Sequence, residues 1–391
     1  MKNKTKIQIL SLLLVIVILC GAMGAKASEM SVGVVDANAA LELNCKAAIL
    51  MDAATGTVLY EQNADEALPP ASVTKIMTLL IVMEAIDVGT IKLDDQVCVS
   101  ENAASMGGSQ VFLEVGETMS VEDMLKSVII SSANDAAVAL AEYVAGSEEA
   151  FVQKMNTRAS ELGMKNTCFE NTNGLDDTVT NHLTSARDIA IMSRELIKHE
   201  KILEYSSIWM DTIRNGEFGL TNTNRLVRFY NGATGLKTGS TAKAKFCVSA
   251  TAKRGNMHLI CVIMGAETRD ERNAMATKLL DYGFANYSLF SSSGQKLEEI
   301  KVVGGTENTC GISYSDFNAV VGKGEDGKIT ASIEIGKSIK APVKIGDSVG
   351  KVIYKRGDTI VGETDILATE SISKIRFSDV LARFFAKILI K

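Results

Sequence analysis

Ser72-Val-Thr-Lys75 sets a hydroxyl and an amine three residues apart. On a helix, positions i and i+3 share a face, so this amine can reach this hydroxyl. A serine hydroxyl is a poor nucleophile until a neighbouring base takes its proton. Lysine is such a base only when neutral, and burial or a second cation lowers its pKa. The pattern is cheap by itself, since further S-x-x-K matches begin at Ser240, Ser293, Ser348 and Ser371. Of these, only Ser72 follows a Pro-Pro turn and opens an apolar-periodic helix. Ser132-Ala-Asn134 then lies between two helical runs, where Ser and Asn also serve as ordinary N-caps. Ser100-Glu-Asn102 repeats that pattern. Lys237-Thr238-Gly239, followed by Ser240, precedes a strand-like run. There a glycine admits close approach of a substrate backbone, or simply turns the chain into the strand. Each group alone is more often structural than chemical. In the order S-x-x-K, S-x-N, K-T-G, at intervals of 60 and 105 residues, they are far more specific together, and the set is one used for chemistry at a nucleophilic serine.

The elements that must position these groups follow from periodicity. Strands are predicted at 46–51 and 57–60, and a helix at 72–86. From 93 to about 222 the pattern is mostly helical, clearest at 121–130, 135–144, 150–162 and 185–199. Strands return at 245–252 and 258–264, followed by a long helix at 269–287. Strands open and close the domain while helices fill its middle. This predicts an α+β fold with an antiparallel sheet completed from both ends and a helical insertion. Residues 291–294 read as a linker, 296–369 as a small all-β module, and 371–391 as a separate tail.

Composition narrows the function classes. With 391 residues there is room for two domains or three, and 46% hydrophobic residues suit a folded protein. A net charge of −6 argues against a nucleic-acid partner. Lys2, Lys4 and Lys6, an apolar run over 7–20 that includes Cys20, and Ala25-Lys26-Ala27 read as a signal peptide. The run is shorter than the ~20 residues of a spanning helix. Cleavage after Ala27 leaves 364 residues and six cysteines, none at C-x-x-C spacing, so zinc and thioredoxin-type sites are disfavoured. Buried free thiols are the plain reading, with one Cys247–Cys261 bridge left open. His182, His199 and His258 are far apart and offer no context for a metal site or a Ser-His-Asp triad. In the tail, Phe377, Leu381, Phe384, Phe385, Ile388 and Leu389 fall on one side of a helical wheel. Arg376, Asp379, Arg383 and Lys387 fall on the other, with Lys374 a poor fit. This is the pattern of an in-plane membrane anchor, the alternative being a helix docked on the protein's own core. Residues 1–27 and the tail each carry +4, so the body between them holds −14.

The runs PASVTKIMTLL, SSANDAAVALAEYVAG and TGLKTGSTAKAKFCVSA resemble the low-molecular-mass penicillin-binding proteins, the serine-type D-alanyl-D-alanine carboxypeptidases. ENTNGLDD and HLTSARDIAIMSREL resemble the segment that family carries between its second and third motifs. The resemblance covers residues 46–287, and the β module and tail match the family's appendages. It implies a penicilloyl-serine transferase (β-lactamase/transpeptidase-like) fold, an antiparallel sheet with an all-helical subdomain and the active site between them. The expected organisation is a signal peptide (1–27), a D,D-peptidase domain (28–290), an all-β domain (295–370) and an amphipathic anchoring helix (371–391). The expected location is the outer face of the cytoplasmic membrane, in the cell wall compartment.

By the same resemblance, Ser72 is the nucleophile, Lys75 its base, Ser132 the proton relay and Asn134 the group orienting Lys75 and the substrate amide. Lys237 and Thr238 hold the substrate carboxylate, Gly239 allows close approach, and backbone N–H groups of Ser72 and Ser240 form the oxyanion hole. Attack on the penultimate D-Ala carbonyl of a peptidoglycan stem peptide expels D-alanine, water hydrolyses the acyl-enzyme, and β-lactams are trapped on the same serine. No cofactor and no metal are called for. Ser240 stands where many members carry His, and no arginine is assigned to the carboxylate, although Arg225 is near in sequence. The alternatives are a D,D-endopeptidase, a class A-type β-lactamase and a non-catalytic cell-wall-binding scaffold. Ser-Ala-Asn in place of Ser-Asp-Asn, no evident deacylating Glu loop and the extra β module count against the β-lactamase.

Overall fold

The structure is a computed structural model and describes residues 41–177 and 179–389. The signal peptide read at 1–27 lies outside them. Strand β1 (Ala47–Asp52) is buried at every position, as a strand covered on both faces must be. The remaining strands of this part of the chain are β2 (Val58–Gln62), β3 (Gln96–Cys98), β4 (Thr118–Ser120), β5 (Met210–Ile213), β6 (Phe218–Thr221), β7 (Ala233–Thr241), β8 (Lys245–Arg254) and β9 (Met257–Ala266). A five-stranded sheet runs in the order β2-β1-β9-β8-β7, with every pairing antiparallel. The β1–β9 pair joins the two ends of the domain, as the sequence predicts. The mostly helical middle also contains two small hairpins, β3–β4 and β5–β6. Their strands are only three or four residues long, too short for period-2 alternation to register.

Alternation along the sheet strands divides their side chains between two cores. Ile49, Met51, Cys247, Ile260, Val262 and Met264 face the helical side. There the helices Lys75–Asp87 and Ala186–Leu196 carry much of the packing, and the first nine residues of Lys75–Asp87 are all buried. A helix that is buried on nearly every face must be apolar nearly all round. Leu50, Val248, Leu259, Cys261 and Ile263 face the long helix Arg269–Asn286, through its Met275, Leu279 and Leu280. Cys247 and Cys261 therefore lie on opposite faces of the sheet. Both are free thiols, so the bridge left open by the sequence does not form.

The linker read at 291–294 is replaced by strand structure. β10 (Tyr287–Ser292) continues directly from the long helix, and β11 (Gln295–Val303) follows after two residues. The domain adds β12 (Thr309–Tyr314), β13 (Phe317–Gly322), β14 (Ile329–Ile335), β15 (Ser338–Lys340), β16 (Ser348–Arg356) and β17 (Thr359–Ala368). β10 pairs with β13, and the others form a sheet in the order β14-β16-β17-β12-β11-β15. Its core includes Ile300, Cys310, Ile312, Val352, Tyr354 and Ile366, and Phe317 stacks on Tyr354 at 4.2 Å between centroids. The tail is not wholly separate: Ile372 is buried in this core and bridges Val343. A helix begins only at Phe377 and runs to Leu389. Phe377, Phe384 and Phe385 on it are 81%, 60% and 52% exposed. No helix among the described residues is long and apolar enough to cross a membrane.

Candidate active site

Ser72 sits in a 3-10 turn, Ala71–Thr74, and the α-helix proper starts at Lys75. The turn follows Pro69-Pro70 and opens on Ala71 at φ +49°, a conformation unfavourable for a residue with a Cβ. Lys75 is completely buried. Its Nζ donates to Ser72 Oγ at 3.0 Å, Asn134 Oδ1 at 2.5 Å and Asn173 O at 2.7 Å. Those three partners match the donor capacity of an ammonium group; in the neutral amine the Ser72 contact reverses, and the hydroxyl donates to the Nζ lone pair.

Ser132 follows the helix Val121–Ile130 and adopts φ +65°. Asn134 is the first residue of the helix Asn134–Ala145, whose N-cap is Ala133 with no side-chain cap. Ser132 and Asn134 are thus free of the capping duty that the sequence allows them. Ser100 takes the other course and caps its own short helix by accepting from Ala103 N. Asn134 is fixed at both ends of its amide, because Nδ2 donates to Gly107 O at 2.6 Å. Asp135 accepts from the backbone N–H groups of Val111, Leu113 and Ala136, which clamps the segment facing the site.

Lys237, Thr238 and Gly239 lie within β7 rather than in a turn before a strand. Lys237 is buried, and its Nζ donates to Ser132 Oγ at 2.8 Å and Thr238 O at 3.1 Å. Thr238 Oγ1 donates to Thr223 Oγ1 at 2.9 Å. A Cβ on Gly239 would stand 2.8 Å from Ser72 N, so β7 touches the serine turn through this glycine. Ser240 is exposed at the mouth of the site. All eight residues singled out by the three motifs are brought together.

Electrostatics at the site come from cations. Burial, then the charge of Lys237, holds the Lys75 amine well below its usual pKa, with Asp135 opposing. Lys237 is lowered to about 7 by burial, then by Arg272. Arg272 is itself buried, and burial lowers it to about 10. Its Nη1 donates to Cys247 O at 3.3 Å, and Cys247 pairs with Gly239 across β7 and β8. A cavity of about 350 Å³ is lined by Ser72, Ser132, Thr238, Ser240, Trp209 and Arg272 among others, and no carboxylate lines it among the described residues. Arg225 also lines it, with its guanidinium 3.9 Å from Asp270. No group of His, Cys, Asp or Glu among the described residues could hold a metal ion.

Sequence reasoning missed three contributors. Arg272 shares a helix face with buried Met275, Ala276 and Leu279, and an arginine at that spacing was a readable signal. Trp209 lies beside the unforeseen β5–β6 hairpin. The loop carrying Asn173 acts through a backbone carbonyl, which no side-chain pattern marks.

Comparison with known proteins agrees with this geometry. Residues 34–268 match the D-alanyl-D-alanine carboxypeptidase family, and residues 284–374 match the penicillin-binding protein 5 C-terminal domain. The chain is 45% identical to the D-alanyl-D-alanine carboxypeptidase DacF of Bacillus subtilis, over 86% of this chain and 88% of that one. It is 36% identical to the D-alanyl-D-alanine carboxypeptidase DacC of Escherichia coli, over 85% of each. Among solved structures, penicillin-binding protein 5 of Haemophilus influenzae superposes with a TM-score of 0.75 at 31% identity, covering 85% of this chain and 98% of that one. Penicillin-binding protein D2 of Listeria monocytogenes, solved with ampicillin bound, gives 0.58 at 33% identity over 62% of this chain and 99% of that one. A buried lysine on a serine, in a fold shared from the catalytic sheet to the β domain, places the chain in the D-alanyl-D-alanine carboxypeptidase family of low-molecular-mass penicillin-binding proteins.

Proposed function

We propose that this chain removes the terminal D-alanine from peptidoglycan stem pentapeptides through an acyl-enzyme on Ser72. The observation that carries the reading is the contact of a fully buried Lys75 amine with Ser72 Oγ at 3.0 Å. An amine held well below its usual pKa is neutral often enough to take the serine proton. Asn134 fixes its direction. Ser132, bonded to Lys237, passes the proton to the leaving D-alanine. Lys237 and Thr238 hold the substrate's terminal carboxylate, with Arg272 behind them. The backbone N–H groups of Ser72 and Ser240 take the developing oxyanion, where one donor is worth ~10²–10³ in rate. β-Lactams acylate the same serine. Cross-linked peptides offer the same carbonyl with a larger leaving amine, and D,D-endopeptidase action uses the same groups. A class A-type β-lactamase is disfavoured, because among the described residues no carboxylate lines the cavity to serve deacylation.

The basic, apolar leader directs export to the cell wall compartment, with catalytic and β domains at 28–290 and 295–370. The exposed phenylalanines of the terminal helix lie on a membrane surface. The test of the chemistry is mass spectrometry after benzylpenicillin, with product analysis on a pentapeptide muropeptide. The expected result is a stoichiometric adduct on Ser72, D-alanine release, and loss of both in Ser72→Ala. Release of D-alanine by the Ser72→Ala protein at the native rate would overturn the assignment.

A further inference from the structure

Behind the serine turn lies a buried polar chain that the mechanism above does not use. His182 is 5% exposed and packs edge-on against Phe169 at 5.7 Å. Its Nδ1 accepts from Glu170 N–H at 3.0 Å. In a neutral imidazole the proton then resides on Nε2, because the accepting nitrogen must be bare. Burial lowers the His182 pKa to about 4, so the neutral form prevails near pH 7. Nε2 lies 2.7 Å from Thr74 Oγ1, and Thr74 Oγ1 donates to Ala71 O at 2.8 Å. A hydroxyl has one proton to give, and it is committed to Ala71 O. The direction of the chain is therefore fixed as His182 Nε2–H to Thr74 Oγ1–H to Ala71 C=O.

Ala71 C=O belongs to the peptide whose other end is the N–H of Ser72. A hydrogen bond at a peptide carbonyl polarises that peptide, and chains of such bonds reinforce one another. Gly174 packs closely against the same carbonyl, since a Cβ there would fall 1.9 Å from it. The positive φ of Ala71 is a costly conformation for a residue with a Cβ, so outside support of the turn has a purpose. His182 is well anchored to give it. The next residues bridge two segments, Leu183 to Cys168 and Thr184 to Leu68, and Leu68 immediately precedes the Pro-Pro turn.

We propose that His182 and Thr74 are positioning residues for the oxyanion hole, orienting and polarising the Ala71–Ser72 peptide so that the Ser72 N–H is a stronger, better-aimed donor. This rests on the reading of Ser72 as nucleophile, which the Ser72→Ala adduct test decides independently. Thr74→Val keeps the side-chain shape and deletes the hydroxyl, whereas Thr74→Ser keeps the hydroxyl. In the full chain, benzylpenicillin acylation of Thr74→Val is expected to slow about tenfold, less than the ~10²–10³ of losing a donor outright. The infrared band of the penicilloyl ester carbonyl is expected to move to higher frequency, reporting weaker hydrogen bonds to that oxygen. Thr74→Ser should restore both. Should Thr74→Val not fold, His182→Phe leaves the Thr74–Ala71 bond in place and should give a smaller change in the same direction. A folded Thr74→Val or His182→Phe protein with an unshifted ester band would overturn the proposal, whatever its stability or rate. With an adduct on Ser72 and an unshifted band, the relay fails while the nucleophile stands.

Discussion

Gly239→Ala isolates the close approach of β7 to the serine turn. Gly239 lies in strand β7 and is not among the glycines at positive φ, so alanine can adopt its backbone angles. What alanine meets is space already filled. Its Cβ would stand 2.8 Å from Ser72 N, 2.9 Å from Pro70 O and 2.9 Å from Val73 N. All three are backbone atoms, and none can swing aside as a flexible side chain would. Ordinary contact begins near 3.4 Å, so strand and turn must separate by roughly half an ångström. Overpacking of this kind costs about 1–3 kcal/mol of stability. The same displacement pulls Ser72 N and β7 apart, and with them the two proposed oxyanion donors. Misplacement by ~1 Å is worth ~10²-fold in rate, so a loss of 10- to 100-fold in acylation, about 1.4–2.7 kcal/mol of barrier, is expected. The assay is the pseudo-first-order rate of labelling by a fluorescent penicillin, with urea unfolding on the same preparation. Gly219→Ala, where a Cβ meets nothing within 4 Å, is the control and should label at the native rate. A folded Gly239→Ala protein that labels within threefold of native would refute the reasoning, because the contact would then have no bearing on the hole.

Lys237 at about pKa 7 predicts proton uptake on binding a carboxylate, which favours its charged form; calorimetry of Ser72→Ala with a D-Ala-D-Ala peptide in buffers of different ionisation heat should show uptake at pH 8 and none at pH 5. His182 predicts acid lability: its folded pKa is lowered to about 4 from 6.5, so the unfolded chain binds a proton first as pH falls. The associated stability is complete above pH 6.5 and is lost down to pH 4, about 3 kcal/mol, and urea midpoints against pH should fall less steeply in His182→Gln. Cys247 and Cys261, on opposite sheet faces, predict no response of Tm to a reductant, with exposed Cys98 the first thiol alkylated in the native protein.

The sequence was informative where chemistry needs side chains in a fixed order. Ser72, Lys75, Ser132, Asn134 and Lys237 meet because two helix starts and one strand converge, and each start carries a local signal. Ser132-Ala-Asn134 and Ser100-Glu-Asn102 are indistinguishable as patterns, yet one lies against Lys75 and Lys237 and the other caps a helix. Only the neighbouring Lys75 and Lys237 separate them, and these are distant in sequence. The helix at 121–130 is found where periodicity places it. The 3-10 character of the turn at Ser72 was not legible, because Ala71 adopts a left-handed angle that its own residue type disfavours, at a point where the distant Gly174 approaches closely. Serine-rich composition suggested a linker at 291–294, yet Ser291 and Ser292 pair with Asn318 and Phe317. Long-range pairing decided that segment, and composition does not encode it.

The charges of the site explain why one fold can hold two lysines in different states. Lys75, Lys237 and Arg272 are all buried, and each is pushed down first by burial, with Lys237 opposing charge on Lys75 and Arg272 opposing it on Lys237. Asp135 is the nearby carboxylate, but its oxygens are already taken by three backbone N–H groups. The cavity therefore lacks the anion that would balance it. In the proposed mechanism, a ligand carboxylate beside Lys237 and Arg272 would supply that anion and return charge to Lys237. Lys75 sits deeper, bonded to Ser72, Asn134 and Asn173, and gains less from it. Recharging Lys237 then works against charging Lys75, because two ammonium groups in one low-dielectric site repel. Binding of the correct, carboxylate-bearing peptide would in this way help keep Lys75 neutral at the moment a base is required. Substrates without a terminal carboxylate should accordingly lose kcat as well as affinity, a split that separates charge coupling from simple anchoring.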